Sequence, residues 1–88
     1  MKAKDKINKV SVRIFDDEYV IKGSADTYHI EKVASLVDQK MRQLCQKNPY
    51  LSPKKIAVLT ALNIADELYR LRDDYDALIK LLDETKQS

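Results

Sequence analysis

Apolar and polar residues change rhythm along this chain, and each rhythm predicts an element. In residues 9–23, Val10, Val12 and Ile14 alternate with Ser11 and Arg13, and a second β-prone run, Tyr19-Val20-Ile21, follows Asp16-Asp17. Alternation with a period of two marks a half-buried strand, and two such runs across a polar break predict a hairpin. With Asp16-Asp17 as a two-residue turn, Ile14 lies opposite Tyr19 and Val12 opposite Ile21. One face then carries Val10, Val12, Ile14, Tyr19 and Ile21, and the other Ser11, Arg13, Phe15, Glu18, Val20 and Lys22. Asp-Asp lacks the glycine that a tight turn prefers, so a slightly longer loop is the alternative. A two-stranded hairpin is marginal alone, and helices must cover its apolar face.

From about Thr27 to Lys47, Ile30, Val33, Ala34, Val37, Met41, Leu44 and Cys45 recur at intervals of three and four, the period of one helical stripe. Ser24, Asp26 or Thr27 can cap the start of this covering helix, and Asn48-Pro49 ends it, because the residue before proline is pushed out of helical geometry. Ser52 with Pro53 at the first helical position then opens a second helix, which runs without glycine or proline to about Thr85. Thirty-odd residues at 1.5 Å each make a rod of roughly 50 Å, more than the rest of the chain can cover.

Along that rod Ala61, Ile64, Leu68, Leu71, Tyr75, Leu78 and Leu82 keep alternating spacings of three and four, the pattern of a coiled-coil seam and therefore of an oligomer interface. Val58, Leu62, Ala65 and Tyr69 form a second apolar line in the first half only. The near half is expected to pack on its own head, and the far half to meet another chain. Ile79 and Leu81 widen the stripe near the end, which favours a bundle of more than two helices. The whole predicts an α+β fold: an N-terminal β-hairpin packed on a short helix, followed by a long C-terminal coiled-coil helix. Residues 1–60 are the expected head and residues 61–88 the expected oligomerisation stalk.

Composition narrows the chemistry. With 88 residues, one domain is the ceiling. The longest apolar run, Ile56-Ala57-Val58-Leu59, is far too short to cross a bilayer, and the lysine-rich Met1–Lys6 does not lead into an apolar signal segment, so a cytoplasmic protein without membrane partners is expected. One cysteine (Cys45), one histidine (His29) and one glycine (Gly23) leave no material for a disulfide, a structural zinc site or a phosphate-cradling loop, and no cofactor or metal is expected. His29 reads as a helix-end histidine, Cys45 as a small hydrophobe on the apolar stripe, and Asp73, Asp74 and Asp76 as a solvated face. No nucleophile, base and donor converge in the sequence, and an enzyme is not expected. The net charge of +2 gives little argument for nucleic acid, although the basic excess sits at the front of the chain. On the first helix Lys32, Leu36, Lys40, Gln43 and Lys47 line one flank that holds no carboxylate, whereas Glu31, Ser35, Asp38 and Arg42 mix signs on the other. The basic flank is either a solvated face or a docking ridge for an acidic partner. Arg13, beside Phe15 and Val20, would extend it.

The stretch from Asn48-Pro49-Tyr50-Leu51-Ser52-Pro53 through Ala61-Leu62-Asn63-Ile64-Ala65-Asp66-Glu67-Leu68 closely resembles the central motif of the ZapA family, bacterial cell-division proteins that associate with FtsZ. Val10-Ser11-Val12-Arg13-Ile14-Phe15 and Glu18-Tyr19-Val20-Ile21-Lys22-Gly23 match the opening hairpin of that family, so the resemblance runs from about residue 8 onward. Asp16-Asp17 departs from it, since members often place Gly and a charged residue such as Arg there. The resemblance implies a small head on a coiled-coil stalk, a homodimer that pairs through antiparallel stalks into a homotetramer, and heads that bind acidic FtsZ polymers. Cross-linking or aligning protofilaments in this way stabilises the Z-ring at midcell. Arg13, Lys32, Lys40 and Lys47 are the candidate FtsZ contacts. A dimeric DNA-binding protein of the ribbon-helix-helix type is the rival, disfavoured by Phe15, Val20 and Glu18 on the presumed reading face. A bare coiled-coil scaffold is the third reading.

Overall fold

The computed structural model describes residues 7–87, with side chains through Thr85. Lys2, Lys4 and Lys6 of the basic front, and the last residue of the expected stalk, lie outside the described residues. The hairpin forms as β1 (Asn8–Ile14) and β2 (Asp17–Gly23), paired antiparallel. Its turn is Phe15-Asp16 rather than Asp16-Asp17, and it has two residues: Ile14 faces Asp17, Val12 faces Tyr19 and Val10 faces Ile21. The register is therefore shifted by two from the expected one. A shift of two leaves every side chain on its expected face, because the side-chain period of a strand is also two. Two residues change place: Phe15 moves from the outer face into the turn, and Asp17 leaves the turn for the start of β2.

Both turn residues have positive φ, 51° at Phe15 and 72° at Asp16, the geometry of a primed hairpin turn. Left-handed backbone costs a residue with a Cβ on the order of 1–2 kcal/mol. Tertiary hydrogen bonds hold it here. The Phe15 amide donates to Asp38 Oδ1 at 2.7 Å, and the Arg42 guanidinium donates to Asp16 Oδ1 at 2.9 Å.

The covering helix α1 spans Thr27–Lys47. Of the three expected caps it uses Asp26, whose carboxylate accepts from the His29 amide at 2.8 Å. At the other end the Asn48 amide donates to Leu44 O at 2.9 Å. Val10 and Val12 of β1 and Ile30 and Ala34 of α1 form a buried cluster, with Ile14 and Ala25 packed against it. α1 thus lies over β1, and β2 is left at the margin. Tyr19 and Ile21 share the inward face with Val10 and Val12 yet remain 47% and 37% exposed.

After the Asn48-Pro49-Tyr50-Leu51 link, α2 (Pro53–Gln87) starts on Ser52, whose hydroxyl accepts from the Lys55 amide at 3.2 Å. The near half of α2 packs on α1, but not through the expected line. Val58, Leu62, Ala65 and Tyr69 are all exposed. Ile56 (0% exposed) and Thr60 (2%) are buried instead, and Ile64 is half-buried. Ile56, Thr60, Ile64 and Glu67 are four, four and three residues apart, one side of a helix. Glu67 ends this side in an ion pair with Lys40 of α1.

The result is a flat angle of two helices with a hairpin on one arm. The chain measures 55 × 49 × 15 Å, and its radius of gyration is 18.2 Å. A compact chain of this length would have about 12 Å. Its accessible surface of 7538 Å² compares with about 5300 Å² expected for a compact monomer of this mass.

Two substitutions test the α1–α2 junction by chemical denaturation. Ile56→Ala should cost ~2–4 kcal/mol, as a fully buried isoleucine leaves a cavity. The Thr60 hydroxyl is buried with no hydrogen-bond partner among the described residues. Thr60→Val should therefore raise stability by up to ~1 kcal/mol, since it removes an unsatisfied polar group at nearly constant volume. A loss of similar size would show that another chain or a water satisfies the hydroxyl.

Candidate docking and assembly surfaces

The seam residues Ala61, Leu68, Leu71, Tyr75, Leu78 and Leu82 are all exposed in the single chain, and only Ile64 is half-buried. Leu71 shows 68% of its surface to solvent. α1 is the element packed on α2, and its contact ends near Glu67, so the far part of the rod has no cover from the other described residues. Ile79 and Leu81 are exposed beside the seam, which widens the apolar band as expected. This band can bury itself only against another molecule of complementary shape.

The basic flank of α1 is more structured than its spacing suggests. Lys32 is exposed, with its Nζ 5.9 Å from the centre of the Tyr28 ring. Lys47 is exposed in the last turn, where a cation complements the helix C-terminus. Lys40 differs from both. Its side chain is only 22% exposed, and its ammonium is bonded to Glu67, so it joins α1 to α2 instead of standing free. The charge open to a partner on this flank is thus carried by Lys32 at one end and Lys47 at the other.

Arg13 is not part of that flank. A shallow groove between β1 and α1 is lined by Ser11, Val12 and Arg13 on one side and by Glu31, Ser35 and Asp38 on the other. Arg13 therefore neighbours the mixed-sign flank, and it donates to the Asp16 carbonyl at 3.3 Å. Lys32, Lys40 and Lys47 all lie on α1, spread along its length with Lys40 tied to Glu67, and Arg13 lies on β1 beside the other flank.

One cluster went unseen in the sequence. Asp38 and Arg42 stand four residues apart on the mixed-sign flank and bond at 3.1 Å. The same two side chains also grip the hairpin turn through the Phe15 amide and the Asp16 carboxylate. The Phe15 amide, and then Arg42, hold the Asp38 carboxyl below its ordinary value. Asp16, and then Asp38, raise the Arg42 guanidinium further. A carboxylate, a guanidinium and two turn residues so placed can fix a turn; they offer no open ligand for chemistry.

His29 is exposed, Cys45 is half-buried, and Asp73, Asp74 and Asp76 are exposed on α2. Among the described residues no group of three or more His, Cys, Asp or Glu could hold a metal ion, and no helix is long and apolar enough to cross a membrane.

Comparison with known proteins agrees with this geometry. The family model described as "Cell division protein ZapA" matches residues 10–88. The chain is 42% identical over 84 residues to a cell division protein ZapA of Geobacillus sp. (strain WCH70), which covers 96% of this chain and 97% of that one. It is 45% identical over 78 residues to a protein of the same name from Geobacillus thermodenitrificans (strain NG80-2), at 89% and 86% coverage. Among solved structures it is similar to a ZapA mutant dimer from Geobacillus stearothermophilus, with a TM-score of 0.68, 42% identity and coverage of 88% and 90%. A conserved bacterial protein of unknown role from Pseudomonas aeruginosa PAO1 has the same fold, with a TM-score of 0.66, 26% identity and coverage of 92% and 99%.

The turn cluster predicts a pH dependence. Because the folded state holds the Asp38 carboxyl below its unfolded value of about 3.9, its contribution is fully present above that value and is lost as pH falls through the folded one. Asp38→Asn should lower the thermal midpoint at pH 7, and the gap from the unmodified protein should close as the pH falls below 4. A gap that stays constant with pH would assign the effect to something other than the ionised carboxylate.

Proposed function

The chain belongs to the ZapA family of cell-division proteins, and from that premise we propose that it binds FtsZ polymers and cross-links or aligns protofilaments, stabilising the Z-ring at midcell. The role is non-enzymatic and cytoplasmic. Residues 1–60 act as the head, which docks on the filament, and residues 61–88 act as the stalk, which joins copies into a dimer and then a tetramer.

The observation that carries this reading is the uncovered seam on a small, folded head. A chain that needs other copies to bury its stalk presents several heads in one particle. Joined weak sites hold a repeating filament far better than one site does, with no new contact required. The exposed ends of the α1 flank, Lys32 and Lys47, supply positive charge for an acidic filament, and rim charges of this kind act mainly on association rate and salt dependence.

Co-sedimentation with polymerised FtsZ tests the reading, with duplex DNA at ~150 mM salt as the comparison. The chain should pellet with filaments and bundle them, and should leave DNA in the supernatant. Leu71→Asp places a carboxylate in the seam, where burying an unpaired charge costs several kcal/mol; it should lower the mass in sedimentation and abolish bundling while the head stays folded. Lys32→Glu with Lys47→Glu should weaken pelleting without changing the oligomer, and Glu31→Lys on the opposite flank should not weaken it. Lys40 is a poor probe, because its reversal would break the contact with Glu67. Full bundling by the double reversal would reduce the flank to a solvated face.

A further inference from the structure

The link between the two helices is tight, and it carries charge of one sign. Asn48-Pro49-Tyr50-Leu51 closes as a turn: the Leu51 amide donates to Asn48 O at 3.1 Å, and the Asn48 side chain donates to Leu44 O at 3.0 Å. Proline in the second position of such a turn sets its backbone in advance. Tyr50 occupies the third position and is 98% exposed. A tyrosine ring gains more from burial than most side chains, yet here an ordered turn holds it clear of the rest of the chain.

Charge around the ring is unbalanced. From Gln39 to Ala65 there is no Asp or Glu, whereas Lys40, Arg42, Lys47, Lys54 and Lys55 all fall in that stretch. Glu67 neutralises Lys40 from outside it, and Asp16 and Asp38 neutralise Arg42. Lys47, Lys54 and Lys55 are exposed, and none of them forms an ion pair among the described residues. Asp17 lines a cleft with Lys54 but is not bonded to it. Lys54 and Lys55 also stand at the unfavourable end of a helix. They lie in the first turn of α2, which holds no acidic residue, and the helix dipole repels cations there. A glutamate in place of Lys55 would complete a capping box with Ser52. Nothing described in the chain offsets this cost, and an anion brought by a partner would.

We propose that this corner, Tyr50 with Lys47, Lys54 and Lys55, is a docking surface for an acidic, unfolded segment of a partner protein, one of whose apolar side chains packs on the Tyr50 ring. Charge sets the sign of the partner, and shape sets its form. A side chain as exposed as Tyr50 stands on a convex corner and not in a groove. A rigid surface touches such a corner over little area, whereas an extended chain bends round it and reaches lysines on both helices. A lipid surface would call for several apolar side chains to insert; Leu51 is half-buried, which leaves Tyr50 as the one fully exposed large apolar side chain of the link. Lys47 alone belongs also to the flank that faces the filament in the proposed function. Tyr50, Lys54 and Lys55 do not, and they can be probed without FtsZ.

The probe is a fluorescein-labelled oligoglutamate peptide with one central phenylalanine, titrated with the full chain and followed by fluorescence anisotropy. Its Kd should rise at least ~fivefold between ~50 and ~300 mM salt, and binding should vanish when glutamine replaces every glutamate. Lys54→Glu with Lys55→Glu should raise Kd at least ~tenfold and should also raise the thermal midpoint, because carboxylates then occupy the first turn of α2. Lysines with a purely structural role would not give these two effects together. Lys9→Glu with Lys22→Glu makes the same change in net charge on the exposed strands of the hairpin, and should leave Kd within ~twofold. Tyr50→Ala should weaken binding at least ~threefold with the sedimentation mass unchanged, and Tyr50→Phe should bind as the unmodified chain does. An unchanged Kd in the folded Lys54/Lys55 variant or in Tyr50→Ala overturns the proposal, as does an equal loss in the Lys9/Lys22 control. A changed mass in Tyr50→Ala overturns it too, by making the ring an assembly contact. Co-sedimentation with phosphatidylglycerol vesicles that is tighter than peptide binding would make the corner a lipid site instead.

Discussion

Burial of a single stripe on α1 holds this chain together. The upper part of the stripe, Ile30 and Ala34, meets Val10 and Val12 of β1, and the lower part carries Met41 to the junction with Ile56 and Thr60 of α2. The hairpin and the rod each pack on α1 and owe their mutual placement to it. Polar ties guard each contact: Asn8 to the Ala25 carbonyl, Asp38 and Arg42 to the hairpin turn, and Lys40 to Glu67. Alone, each exposed ion pair is worth little. Together with the stripe they fix three elements in one arrangement, which a core of so few buried side chains could not specify by itself.

Much of this was legible from periodicity, and the exceptions have physical causes. Both helices begin, and α1 ends, close to where capping and proline signals put them, because those signals act through local backbone geometry. The turn was misplaced by one residue, since Asp16-Asp17 looks more turn-like than Phe15-Asp16. A phenylalanine at positive φ is a local misfit that only Asp38 and Arg42, more than twenty residues away, make tenable. The face of α2 that meets α1 was hidden for a related reason. It carries Thr60 and Glu67, and two better apolar lines outcompete it in any count of hydrophobic spacing.

The candidate surfaces divide in the same way. The uncovered apolar line from Leu68 to Leu82 could be read from spacing alone, because it is a property of one helix. The basic flank could be read as a row of charges, but not as one interrupted by Lys40, whose partner lies on another helix. Arg13 borders the mixed-sign flank instead of extending the basic one, because the strand face says nothing about which side of α1 it will border. Placement between elements is thus the part that residue patterns leave open.

The rod itself has a mechanical consequence. From Pro53 to Gln87 the backbone is one helix with no further proline and no glycine at which to bend. At its root, Ile56, Thr60 and the Lys40–Glu67 contact clamp it to α1. In the proposed assembly it would act as a strut and not as a tether: heads joined through it would stand at a set distance and in a set orientation. A flexible link of equal reach would let each head search a volume and settle on the nearest subunit, on the same filament or another. A strut removes that freedom, so in the proposed role length and angle, as well as affinity, would select which pairs of sites two heads can occupy at once.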